Sequence, residues 1–417
     1  LKSIMTKSVK VALAGISGYG QSYVDALLAN KAGADFEFVA CVDPYPQRCR
    51  SIETLRSMNL PIYPTMLGLF GAHPDLDLVM LSTPIHLHAS QICDSIRAGV
   101  NVLCEKPLAG SVRDAQRVLR VDAGARQRGQ FIGIGYQWSF SRAVLSLKQD
   151  ILEGKLGRCL RMRTRVDFPR EQAYFRRNSW AGRMHAAGGE DVFDSPVNNA
   201  TAHYLHNMLF LLGDQTDAAA IPLSVQAELY RANDIENFDT AAMRCEMPGG
   251  TELLFYTTHT VPSRCGPMFS FEFEHGTVTY EHREGEIKAI FRNGSTQNYG
   301  SPEKDRDRKI WMAMDSVKTH AALSCTPRTA FAHTLCAAAA LESSATITRV
   351  PAEALRSVPG ETTPMTIVDG LGEALGECFE SGTLPSEAGR LSWAKPGRVI
   401  TVESGAISAA DDVAMIA

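Results

Sequence analysis

VKVALAGISGYG, residues 9–20, is an apolar β-rich run that ends in three glycines, Gly15, Gly18 and Gly20. QSYVDALLAN follows at 21–30 with helical spacing, because Tyr23, Ala26 and Leu27 share one face. The same alternation continues downstream. FEFVACVD (36–43), DLDLVMLSTP (75–84), NVLCEKP (101–107) and QFIGIGYQW (130–138) read as short buried strands. HASQICDSIRAG (88–99) and VRDAQRVLRVDAGAR (112–126) read as amphipathic helices between them. Strands alternating with helices predict a parallel, doubly wound α/β sheet.

The glycines have a physical reason to stand between the first strand and its helix. The chain must turn tightly there and approach a pyrophosphate, which then sits at the helix N-terminus. Gly15, Ser17, Gly18, Tyr19 and Gly20 are therefore candidate cofactor-binding residues. The spacing is G-x-x-G-x-G, a variant of the usual G-x-G-x-x-G fingerprint. Asp43 closes the second strand, where an acid accepts hydrogen bonds from ribose hydroxyls and repels a 2′-phosphate. NAD is thus expected over NADP, with Arg48 close enough in sequence to leave NADP open.

Composition sets the outer limits. The 417 residues exceed one ordinary core, so two domains are expected. A net charge of −4 does not suggest a nucleic-acid binder, and no apolar run is long enough to span a bilayer. Ten cysteines without a C-x-x-C pair fit reduced thiols in a cytoplasm better than a disulfide frame or a zinc site. The opening LKSIMTKSVK lacks a signal peptide's apolar stretch, which agrees with a cytoplasmic location.

Thr83 and Pro84 end one strand at the sheet's carboxyl edge, where ligands bind, and Glu105, Lys106 and Pro107 end the next. With the glycine loop and Asp43, this E-K-P turn resembles the Gfo/Idh/MocA family of oxidoreductases, from about residue 9 to about residue 345. The resemblance implies a Rossmann domain, here 8–137. It implies a second α/β domain, here 138–417, with a large, mainly antiparallel open sheet for substrate binding and oligomerisation. A homo-oligomer, dimer or tetramer, is expected through that sheet. The family lysine, here Lys106, would hold the reacting hydroxyl near the nicotinamide. The family's T-P-N-x-x-H turn reads Thr83-Pro84-Ile85-His86-Leu87-His88, so Thr83, Pro84 and His88 are expected near the cofactor, with His86 ranked below His88.

Past Tyr136 the pattern changes. LSVQAELYRA, FDTAAMRCEM, TELLFYTTHTV, MFSFEFEH, GTVTYEH and IKAIFRN are strand-like runs that predict the second sheet. AFAHTLCAAAALESSA reads as a late helix, and the Gly-, Pro- and Ser-rich tail beyond about residue 350 is expected to wrap the domain or reach a neighbouring subunit. NNATAHYLHNML (198–209) carries Asn199, His203 and His206 on one side of a helix, opposite Val197, Thr201, Leu205, Met208 and Leu212. That polar face holds amides and imidazoles and no charged group, which suits a cleft that binds hydroxyls. The family carries an aspartate four residues before a histidine here. Counted back from Gly213, the histidine is His203 and Asn199 stands in the aspartate's place. Asp194, upstream, would supply the missing charge if the intervening segment folds back. Metal binding by this cluster is not expected, since no third imidazole or nearby carboxylate other than Asp194 is evident.

These features predict an NAD-dependent dehydrogenase that oxidises a secondary hydroxyl of a sugar, cyclitol or glycoside. His203 would accept the hydroxyl proton, Lys106 would polarise the oxygen, and Asn199 would orient His203. Tyr136, Trp138, Arg165, Asp167, Trp180 and His206 are candidate substrate contacts, because a sugar needs an aromatic face and several hydrogen-bonding groups. Two rivals remain: an NAD-dependent glycosidase or lyase that oxidises only transiently, and a non-catalytic NAD or sugar sensor.

Overall fold

The computed structural model describes residues 8–30 and 35–403. The N-terminal strands are β1 (Val9–Ala14), β2 (Phe36–Val42), β3 (Ile62–Tyr63), β4 (Leu78–Leu81), β5 (Asn101–Cys104) and β6 (Ile132–Ile134). They form one parallel sheet in the order β3-β2-β1-β4-β5-β6. Its helices are α1 (Gly20–Ala29), α2 (Ile52–Ser57), α3 (Met66–Ala72), α4 (His88–Arg97) and α5 (Val112–Gln127). Both sheet faces are covered, which explains why β1 is apolar and buried from Val11 to Ala14. Val9, Val11 and Leu13 pack with Tyr23 and Leu27 on one face. Ala12 and Ala14 pack with Leu69 and Ile92 on the other.

After α6 (Arg142–Leu152), β7 (Cys159–Asp167) enters the second sheet, followed by α7 (Gln172–Phe175) and α8 (Ala202–Leu211). The next strands are β8 (Ser224–Arg231), β9 (Thr240–Glu246), β10 (Glu252–Thr258), β11 (Cys265–Phe273), β12 (Gly276–Glu281), β13 (Ile287–Phe291) and β14 (Thr296–Gly300). Their order is β14-β13-β12-β11-β7-β10-β9-β8. Pairing among these strands is antiparallel except between β7 and β10, which run parallel, and the short strand Thr348–Arg349 extends the edge parallel to β8. The expected fold class therefore holds in both halves.

Two helices tie the halves together. α9 (Arg308–Thr319) buries Ile310, Ala313 and Met314 against β1 and its neighbours. α10 (Pro327–Ser343) places Phe331 and Leu335 in the Rossmann core and Ala332 and Cys336 in the core of the second sheet. The chain thus returns to the first sheet well after residue 137, where the sequence pattern changes.

The tail wraps its own domain. α11 (Leu371–Ser381) lays Leu371, Ala374, Leu375, Cys378 and Phe379 on Tyr230, Ala242, Leu254 and Tyr256 of the outer sheet face. The Tyr256 hydroxyl donates to the Cys378 and Thr383 carbonyls at 3.0 and 2.8 Å. Ile400–Thr401 then pairs antiparallel with β8. Among the described residues, the outer face left open on β12 and β13 carries Thr277, Thr279, Lys288 and Ile290. The chain's own α11 covers the outer face of β8, β9 and β10 at these residues. Among the described residues no helix is long and apolar enough to cross a membrane.

Candidate active site

A cleft of 1180 Å³ runs from the β1–α1 turn to the start of α8. Gly15, Ser17, Gly18 and Tyr19 line one end with Asp43, Arg48, Thr83 and Pro84. Gly15 has φ +79°, and a Cβ there would lie 2.5 Å from the Ser82 carbonyl oxygen. A Cβ on Gly20 would lie 1.9 Å from the Gly15 oxygen, so only glycine lets helix and turn approach this closely. Gly20 shapes the turn and does not itself line the cleft. No side chain caps the N-terminus of α1 and no acid stands in its first turn, which leaves that end electropositive.

Asp43 is buried. Its Oδ2 accepts from the Ile16 amide at 3.1 Å and its Oδ1 from the Tyr45 amide at 2.8 Å. Each oxygen keeps a lone pair, so the carboxylate is fixed in place and still able to accept from a ligand. Turn and acid together fit a dinucleotide with a free ribose diol.

The expected placement of His88 needs correction. It is fully buried beneath the cleft, with ring nitrogens 2.8 Å from the Pro107 carbonyl and 3.0 Å from the Thr83 carbonyl. It ties the β4 turn to the Lys106-Pro107 turn, while His86 lines the cleft wall. The Thr83 hydroxyl donates to Gln91 Oε1 at 2.5 Å.

Lys106 sits at the junction of the two halves. Its Nζ donates to the Asn199 backbone oxygen at 2.7 Å and to Asn199 Oδ1 at 3.0 Å. Asn199 Nδ2 in turn donates to Asp194 Oδ1 at 2.7 Å. Burial pushes the Lys106 ammonium down to about 8; Glu105 opposes the shift and Lys309 adds to it. Behind it, Glu105 pairs with Lys309 and accepts from the Tyr23 hydroxyl at 2.6 Å. Burial alone would raise the Glu105 carboxyl, but Lys309 and Tyr23 hold it below the usual carboxylate range.

The segment holding Asn199 departs from the expected helix. Pro196–Ala200 is a π turn, closed by Thr201 N–H donating to the Pro196 oxygen at 2.8 Å, and α8 starts only at Ala202. The wider turn breaks the 3.6-residue register that would stack Asn199 over His203. Asn199 consequently serves Lys106 and Asp194, and the expectation that it orients His203 is corrected. Asp194 does fold back, with its charge relayed through Asn199 toward Lys106. His203 is half-buried, and its Nδ1 has no hydrogen-bond partner. Burial first, and the Lys106 charge second, push it well below the usual imidazole range.

The expected substrate contacts divide. Trp180 lines the cleft. Tyr136 and Trp138 are core residues: Tyr136 stacks on His206 at 3.8 Å between ring centroids, and Trp138 Nε1 donates to Glu303 at 2.9 Å. Arg165 and Asp167 pair at 2.6 Å on the outer sheet face beneath α11, where Arg165 Nη2 also donates to the Gly372 oxygen at 2.7 Å. The β-strand alternation points Arg163, Arg165 and Asp167 of β7 away from the cleft. His206 is buried too, 3.0 Å from Ser139 Oγ. His206→Ala is therefore expected to cost about 2–4 kcal/mol of stability, as for other buried ring deletions. Urea unfolding reads that loss; unchanged stability with a raised KM would return His206 to the substrate site.

Sequence reading missed Lys309, Arg170, Tyr174 and Arg177. Lys309 and Glu105 lie far apart in the chain, and no local pattern announces their pairing. PREQAYFRRNSW (169–180) did carry a signal, arginines interleaved with aromatics, in a segment without strand or long-helix periodicity.

Residues 9–136 match the family model described as "Oxidoreductase family, NAD-binding Rossmann fold". This Rossmann domain belongs to the Gfo/Idh/MocA oxidoreductases. A 1,5-anhydro-D-fructose reductase of Ensifer adhaerens is 32% identical over 156 residues, 37% of this chain and 43% of that protein. An inositol 2-dehydrogenase of Acidothermus cellulolyticus is 29% identical over 151 residues, 36% of this chain and 42% of that protein. The chain thus spans less than half the length of these two curated Gfo/Idh/MocA relatives. At the level of fold the likeness extends further. The WlbA dehydrogenase of Bordetella pertussis, solved with NADH and UDP-GlcNAcA, superposes with a TM-score of 0.66 at 18% identity, covering 81% of this chain and 97% of that one. A levoglucosan dehydrogenase, solved with NADH and L-sorbose, gives 0.66 at 16% identity with the same coverage. The fold is therefore shared over most of the chain.

Proposed function

We propose that the protein is an NAD-dependent dehydrogenase acting on a secondary hydroxyl of a sugar, cyclitol or glycoside. The observation that carries this reading is the bonded pair Lys106 and Asn199 on the wall of the cleft that also holds the glycine turn and Asp43, with Asp194 buried behind Asn199. Relatives of the Rossmann domain named for inositol and anhydrofructose point to the same substrate class.

Gly15, Gly18, Tyr19 and the N-terminus of α1 would hold the pyrophosphate, and Asp43 the ribose hydroxyls. When bound, the dinucleotide supplies the hydride acceptor for the carbinol carbon. The protein's share is position and proton transfer. Lys106 Nζ faces the cleft, and a pKa of about 8 leaves it able to hold the substrate oxygen and to take its proton near neutral pH. Asn199 fixes the amine with two acceptor oxygens, and Asp194 anchors Asn199. The low basicity of His203 leaves it neutral near Lys106, so it adds no positive charge there. This gives the lysine the proton acceptance that was expected of the histidine.

Asp43→Ala is expected to weaken NAD binding and narrow the preference for NAD over NADP, read by calorimetry; tighter NADP binding to the unaltered protein would contradict the assignment of Asp43. The overall reading is tested by incubating the protein with NAD and panels of sugars, cyclitols and glycosides, following NADH and product together. Net NADH with a ketone product supports it. Bond cleavage with no net NADH would point to transient oxidation, and binding without turnover to a sensor.

A further inference from the structure

The segment between β7 and the π turn lays two arginines along the cleft wall, with Tyr174 and Trp180 beside them. The Arg170 guanidinium carbon is 4.5 Å from the Tyr174 ring centroid, and that of Arg177 is 3.8 Å from the same ring. Arg177 is also 5.3 Å from the Trp180 ring. Tyr174 is itself braced edge-on by His259, with centroids 5.6 Å apart. Stacking of this kind fixes the guanidinium planes. Arg177 Nη1 also donates to the Tyr174 carbonyl at 2.6 Å, while Arg170 Nε has no partner and can turn to a ligand.

The charges are unbalanced. Among the described residues Arg170 forms no ion pair, and its Nε is buried without a hydrogen-bond partner. Arg177 reaches Asp194 at 3.5 Å, but that carboxylate already accepts from Asn199 at 2.7 Å and from the Gly182 amide at 2.8 Å. The chain Arg177–Asp194–Asn199–Lys106 places the arginine beside the lysine. Glu105 adds no free negative charge, because Lys309 neutralises it. Among the described residues, the cleft lining at the Lys106, Arg170 and Arg177 end carries no acid besides the neutralised Glu105, and Asp194 behind it serves Arg177 and Asn199. A partly buried cation without its counterion is costly, and the missing counterion is the natural ligand.

We propose that the substrate carries an anionic group, a carboxylate or phosphate on a sugar or cyclitol, which Arg170 and Arg177 hold beside Lys106. This rests on the reading of the cleft as the substrate site of an NAD-dependent enzyme. Guanidinium forks bind both oxyanions in a bidentate manner, and the planar carboxylate matches a single fork best. The anion would orient the ring so that one hydroxyl meets Lys106. It also gives the enzyme its selectivity, because a neutral sugar leaves Arg170 without a counterion and Arg177 with only its shared contact to Asp194.

The test uses the full chain saturated with NADH and three probes: D-glucuronate, D-glucose 6-phosphate and D-glucose. Calorimetry is expected to show at least one acidic sugar binding about 10-fold or more tightly than glucose, with added salt weakening only the acid. Tighter binding of glucuronate assigns the site to carboxylates; tighter binding of the 6-phosphate assigns it to phosphates. Arg170→Gln and Arg177→Gln should each remove most of that advantage and leave NADH affinity unchanged. Equal or undetectable binding of all three probes overturns the proposal. So does a loss of NADH affinity in the arginine variants, which would hand the arginines to the cofactor. If acids bind as expected but no acid, sugar or cyclitol yields NADH from NAD, the anion site stands and the dehydrogenase reading falls.

Discussion

Lys106→Ala is expected to lower kcat by about 10² to 10⁴ while NAD binding is retained, the range typical of a group that transfers or steadies a proton in the transition state. The amine donates to both oxygens of Asn199, so its loss also leaves an amide and the Asp194 charge without their cation. The direction of the pH dependence follows from which form is active. In alcohol oxidation the neutral amine accepts the hydroxyl proton, so kcat/KM should rise with pH and level off above about 8. That limb should vanish in Lys106→Ala and persist in His203→Ala. A limb centred below the usual imidazole range that disappears in His203→Ala would restore proton acceptance to the histidine. Near-normal kcat in a folded Lys106→Ala protein would remove the lysine from the mechanism.

Lys309→Met is expected to destabilise the protein by about 3–5 kcal/mol, because it leaves the Glu105 carboxylate buried and without its cation. In the unaltered protein the two partners define a window. The folded-state pKa of Glu105 is depressed, so its contribution is present above the unfolded carboxyl pKa and is lost as pH falls through the folded value. That of Lys309 is raised, so its contribution is complete below the unfolded amine pKa and is lost as pH rises through the folded value. Near pH 7 both are present. In Lys309→Met the sign for Glu105 inverts: burial without a partner favours the acid form, so the defect should shrink toward pH 5. Denaturant midpoints at pH 7 and pH 5 check this, and the Lys309→Met, Glu105→Gln double variant should recover part of the loss. A pH-independent defect would mean that packing rather than charge holds α9 on the sheet.

Lys309 and Glu105 are 204 positions apart, so neither residue's neighbours could reveal the pair. The Rossmann half was legible for the opposite reason. Its strands and helices follow short local periods, and Gly15 and Gly20 meet contacts made within a few residues or at the adjoining strand. Asp43, Thr83 and Lys106 stand at strand ends, and a parallel sheet brings all such ends to one edge. The second half resisted the same treatment. A helical wheel over 198–209 assumes one register, and the π turn at Pro196–Ala200 breaks it ahead of α8, so Asn199 reaches Lys106 while His206 enters the core. Arg165 and Asp167 looked suited to a sugar by residue type, but strand alternation sent them to the outer face, where α11 covers them. Sequence alone thus determined the cofactor half, where geometry is local. The tertiary structure decided the substrate half, where the residues that meet in the cleft come from a strand end, a π turn and an irregular segment that only packing holds in register.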